Sequence, residues 1–111
     1  EFSLFNEIEI ETLGIPASRN AIALEPENPA SHASLGYGHL LLGNLPLAQR
    51  SLARALSLDP ERAATHYYLG LLRQAQGDSA AALRSLELAM KLDSNGAVGA
   101  LARRALDRIV R

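Results

Sequence analysis

Apolar residues recur at three- and four-residue steps over most of this chain, the spacing of one face of an α-helix. Leu45, Ala48, Leu52, Ala55 and Leu56 predict a helix over about 46–58, closed by Asp59-Pro60. Before it, Asn28 as N-cap and Pro29 as the first helical residue open a helix that runs to about Leu42, and Gly43-Asn44 stops it. The same alternation predicts helices over about 63–76 and 79–92, separated by Gly77-Asp78. A last one covers about 97–110, with Leu101, Ala105 and Ile109 turned inward. The start of the chain breaks the pattern. "FNEIEIET" alternates apolar and acidic residues at period two, which favours a strand, while a helix would gather Phe5, Ile8 and Thr12. Gly14 and Pro16 weaken a helix there. The segment is therefore left open between disordered, extended and helical states.

The elements themselves repeat. Leu35-Gly36 returns as Leu69-Gly70, Gly43 as Gly77, Ala48 as Ala82, and Leu52 as Leu86, all at an offset of 34 residues. Leu58-Asp59 returns as Leu92-Asp93, and Ala21, Leu24 and Pro26 precede Ala55, Leu58 and Pro60 by the same step. A fixed period of this length, each unit holding two helices, is the signature of a stacked helical array. His32 recurs as His66, so it holds a scaffold position. The positions that do not repeat are the informative ones: Tyr37 against Leu71, His39 against Arg73, Leu40 against Gln74.

The stretches "LGYGHLLLGNLPLAQRSLARALSLDP" and "LGLLRQAQGDSAAALRSLELAMKLDS" resemble the tetratricopeptide repeat family in period, in the Leu-Gly pair, in the turn glycine and in the alanines of the second helix. The resemblance covers about residues 20–111. It implies an all-α fold, a right-handed superhelical stack of antiparallel helix pairs (an α-solenoid). The parts would be an irregular or extended acidic segment at 1–17, a partial repeat at 18–28, complete repeats at 29–62 and 63–96, and a C-terminal capping helix at 97–111. The chain departs from the family pattern where His32, His66, His39 and Arg73 stand in place of aromatic residues.

Charge divides the chain. Residues 1–28 hold six glutamates against Arg19 alone, and residues 29–111 hold ten bases against six acids. The overall charge of -1 argues against a general nucleic-acid binder. Arg104, Arg108 and Arg111 share a helix face, but no aromatic residues interleave with them for base stacking, and a solvated cap face is the better reading. With no cysteine there is neither a disulfide framework nor thiolate chemistry. No apolar run approaches the roughly 18 residues of a membrane span, so membrane insertion is not expected. Ten arginines against one lysine hint at a GC-rich bacterial source, with the cytoplasm favoured over the periplasm.

Enzymatic chemistry finds little support. No nucleophile motif, phosphate-cradling glycine loop or paired-carboxylate spacing occurs, and no catalytic residue, cofactor or metal is expected. His32 and His39 lie about 10.5 Å apart along one helix, too far for two ligands that must each approach a zinc to about 2 Å. What remains is a surface. By the resemblance, the first-helix residues facing a concave groove are Ala33, Tyr37, Leu40 and Leu41, then Tyr67, Leu71, Gln74 and Ala75, extended by Leu101 and Arg108 on the last helix. Tyrosines suit such a face because they bury area and keep a polar tip. The expected function is a non-enzymatic scaffold that binds a peptide or helix of a protein partner. Self-association, or service as a regulatory appendage of a larger bacterial protein, are the alternatives. Ala33, Tyr37 and Tyr68 stand where chaperone-binding members of the family carry a carboxylate clamp, so a chaperone tail is not the expected ligand. The apolar and acidic head, through Phe5, Ile8 and Ile10, is either a linker or a segment that docks.

Overall fold

The computed structural model describes residues 14–110, and these are helical apart from the turns that join the helices, with no strand among them. The helices are α1 (Ile15–Leu24), α2 (Pro29–Leu41), α3 (Leu45–Leu58), α4 (Ala63–Ala75), α5 (Ser79–Leu92) and α6 (Ala97–Val110). The five predicted from the repeat fall within one residue of their expected limits. The first helix differs: α1 begins at Ile15, three residues before the boundary placed at 18. Pro16 sits in its first turn, where a backbone N–H has no intrahelical acceptor and its absence costs nothing. The proline that argued against a helix marks its start. Docking through Phe5, Ile8 and Ile10 concerns residues outside those described.

The chain divides into two compact units, Glu1–Leu58 and Asp59–Arg111. In the first, α1 packs on α2 and α2 on α3. In the second, α4 packs on α5, and α6 packs on both. The helix pairs α2–α3 and α4–α5 are built alike. Gly36 on α2 faces Leu52 on α3 so closely that an added Cβ would stand 2.7 Å from the leucine Cγ. Gly70 faces Leu86 in the same way, at 2.6 Å from Cδ2. In each pair the absence of a side chain lets a leucine fill the seam, and Leu52 and Leu86 are completely buried. Alanines supply most of the remaining core: Ala48 and Ala55 beside Leu52, Ala82 and Ala89 beside Leu86.

The turns repeat as well. Gly43 and Gly77 have φ of 81° and 84°, a conformation that glycine adopts without steric cost. Behind each, two N–H groups return to the helix end: Gly43 to Leu40 O and Asn44 to His39 O, then Gly77 to Gln74 O and Asp78 to Arg73 O. This double closure satisfies carbonyls that the helix terminus leaves open. The helix starts are less uniform. Asn28 caps α2 by accepting from Ala30 N at 2.9 Å, whereas Arg62, its equivalent on α4, offers no side-chain cap. Asp78 caps α5 from Ala81 N at 3.0 Å. Asp93 ends α5 and also reaches forward to α6, its Oδ2 accepting from Val98 N and Gly99 N at 3.0 and 3.2 Å. Its bond to Val98 and Gly99 explains why a short Ser94-Asn95-Gly96 linker suffices.

Candidate functional site

The histidines settle into scaffold and exception. His32 Nε2–H donates to the Pro26 carbonyl at 2.8 Å, and His66 Nε2–H donates to the Pro60 carbonyl at 2.7 Å. Each histidine pins the turn that leads into its own helix, six residues behind it. The sequence held the signal for this, because Pro-to-His spacing repeats at 26–32 and 60–66. His39 has no such role. It is 6% exposed, and burial, then the nearby positive charge of Arg19, hold its pKa below the ordinary 6.5. Among the described residues no three His, Cys, Asp or Glu side chains gather closely enough to hold a metal ion.

The groove candidates fall into three kinds. Ala33 is 1% exposed and offers packing, not open surface. Tyr37 and Leu40 are half-buried and Leu41 is exposed on the same helix of the first unit. In the second unit Tyr67 and Leu71 are half-buried against a core of Leu86, Ala89, Ala102 and Ala105. Leu101 stands 41% exposed on α6. The Tyr67 and Tyr68 rings lie 5.6 Å apart at 47°, a tilted pair of the kind favoured by aromatic quadrupoles.

Three of the candidates meet at one place. Leu71 and Gln74 of α4 and Arg108 of α6 line a pocket of about 220 Å³. Its other walls are Gly70, Leu86, Ala105 and Ile109. Leu86 already fills the space opposite Gly70, and the hollow lies over that seam, bounded on α6 by the small side chain of Ala105. Leu71, Leu86 and Ile109 make its walls greasy, and Gln74 and Arg108 place polar groups at exposed positions beside it. Gln74 also accepts from the Ser79 hydroxyl at 3.4 Å, which ties it to the start of α5. Drug-sized ligands and cofactors occupy roughly 300–1,000 Å³. This hollow suits one or two apolar side chains. Ala105 and Ile109 were expected to face inward and do so, Ala105 buried and Ile109 half-buried, whereas Leu101, expected inward with them, stands exposed. Gly70 and Leu86 as pocket walls were not expected, because a hollow arises from which residues face each other across two helices.

No helix among the described residues is long and apolar enough to cross a membrane. A scan against protein-family models finds no match to this chain, and a search of curated proteins finds none either.

Proposed function

We propose that this chain is a non-enzymatic protein-interaction module of the tetratricopeptide kind, its helix pairs continuing as a right-handed stack, and that it binds a peptide or helix through apolar anchor residues. The observation that carries the reading is the hollow over Leu86, with Leu71, Gln74 and Arg108 around it. An apolar side chain of a partner fills it, Leu71 and Ile109 supply contact, and Arg108 and Gln74 engage polar groups of the partner beside the anchor. Apolar pockets rimmed by polar groups of this kind hold the few residues that dominate interface energies. Tyr37, Leu40 and Leu41 give the first unit a surface of the same character on the equivalent helix.

Selection from a displayed peptide library against the full chain tests this. Enriched peptides carry a bulky aliphatic or aromatic residue, and their binding falls about tenfold or more, on the order of the 1.4 kcal/mol of a weak anchor contact, in Gln74→Lys/Arg108→Glu. Helicity by circular dichroism stays unchanged, since both residues are exposed. Failure to enrich any sequence, or full binding by the double variant, contradicts the proposal.

A further inference from the structure

A second concavity lies wholly within the first unit and has a different chemistry. It measures about 440 Å³ and draws on all three helices of that unit. Arg19 comes from α1, His32 and His39 from α2, and Arg50 and Arg54 from α3. Among the described residues no acidic side chain lines it. Leu35 and Leu47 supply its apolar surface and Ser51 a hydroxyl.

Like charges drawn together from two separate helices, Arg19 on α1 and Arg50 and Arg54 on α3, repel, and nothing in the α2–α3 seam requires them there. Arg50 and Arg54 are one turn apart on the exposed side of α3, so both point along one face. Arg19 reaches the same place only because α1 packs across α2. The repeat sharpens the point. One period on, Arg50 and Arg54 correspond to Arg84 and Leu88, and His39 to Arg73, so the full basic set is particular to the first unit. The set is not a scaffold feature copied from repeat to repeat.

From this convergence we propose that the cleft between α1, α2 and α3 binds a multiply charged phosphoryl group, held by Arg19, Arg50 and Arg54. Guanidinium forks match phosphoryl oxygens two at a time and stay charged at every relevant pH. Three of them around one hollow balance a group of two or more negative charges better than a lone carboxylate. The volume exceeds that of a single phosphate, so the group that bears the phosphoryl lies against Leu35 and Leu47. His32 already gives its Nε2–H to Pro26 and serves as wall. His39 acts as the reporter: burial and Arg19 disfavour its proton, and an anion among Arg19, Arg50 and Arg54 offsets that repulsion. Binding thus favours the proton on His39 and moves its resonance. The charged and titratable groups facing it are Arg19 on α1, His32 on its own helix, and Arg50 and Arg54 on α3.

The test titrates inorganic pyrophosphate into the full chain and follows the His39 imidazole Cε1–H resonance by NMR, with sodium chloride at matched ionic strength as reference. A short phosphoserine peptide forms a second arm. The expected result at pH 7.5 is a saturable shift, weakened at least tenfold in Arg50→Gln/Arg54→Gln and unchanged in Arg103→Gln/Arg104→Gln, which removes equal charge from the second unit. All four arginines are exposed, and glutamine keeps helix propensity, so folding is preserved. Tighter binding of the peptide assigns the phosphoryl group to a protein partner, and tighter binding of pyrophosphate assigns it to a small molecule. A shift that chloride reproduces, or that both double variants lose equally, overturns the proposal. So does binding that appears only after Glu7, Glu9 and Glu11 are replaced by glutamine, which would give the cleft to the chain's own acidic segment.

Discussion

His39 has 6% of its surface in water and lies near Arg19. Its lowered pKa has a consequence for stability with a definite sign. Near pH 6 and below, the unfolded chain holds a proton on this histidine more readily than the folded one does, because the ordinary value is about 6.5. Protonation therefore favours unfolding, and the contribution of neutral His39 is present above about pH 6.5 and lost as pH falls from there through the lowered folded-state pKa. Thermal melting between pH 7.5 and 5.5 should show a midpoint that declines on acidification, less steeply in His39→Gln than in the parent. An equal slope in both would contradict the assignment. The sequence marked His39 as a position that does not repeat, which was legible. The causes were not: burial, the larger, depends on what packs over His39, and Arg19 arrives from α1, whose extent the proline and glycine near its start disguised. His32 was the reverse: its identity as scaffold followed from His66, and the bond to Pro26 could have been read from the repeated proline-to-histidine step.

At the scale of the helix, the repeat made element type and limits legible because every signal coincided: periodic apolar residues, a turn glycine and a proline or asparagine start. Where one signal stood alone the reading slipped, as Pro16 did when taken as a breaker. The unequal caps offer a test. Asn28 satisfies Ala30 N, while Arg62 at the equivalent place on α4 provides no cap and buries an Nε with no hydrogen-bond partner among the described residues. An N-cap side chain contributes about 1 kcal/mol, and a buried unpaired polar group costs about 1–3 kcal/mol. Asn28→Ala should lower the unfolding free energy by about 1 kcal/mol, and Arg62→Asn should raise it by a similar amount. Denaturant melts measure both. A loss of stability in Arg62→Asn would show that the arginine stem packs more than its head costs.

For the molecule as a whole, the helical character of the described residues was legible in the sequence, but not where their surface is hollow. Leu71, Gln74 and Arg108 were named from the repeat register, and they meet at one pocket because α6 packs back on α4 as well as on α5. Ala33 was named from the same register and is buried. A register assigns a residue to a helix face; the neighbours of that face decide whether it is open. The basic cleft escaped the sequence for the same reason, since its arginines and histidines come from positions 19, 32, 39, 50 and 54. Nothing in their spacing announces that α1 completes the set.

The most direct test of the interaction reading is an NMR measurement on the full chain, with its leucine and isoleucine methyl groups labelled, bound to a selected peptide. The account predicts intermolecular contacts from the peptide's apolar anchor to the methyls of Leu71, Leu86 and Ile109 around the hollow between α4 and α6. Contacts confined to other methyls, with these three unperturbed, would contradict it.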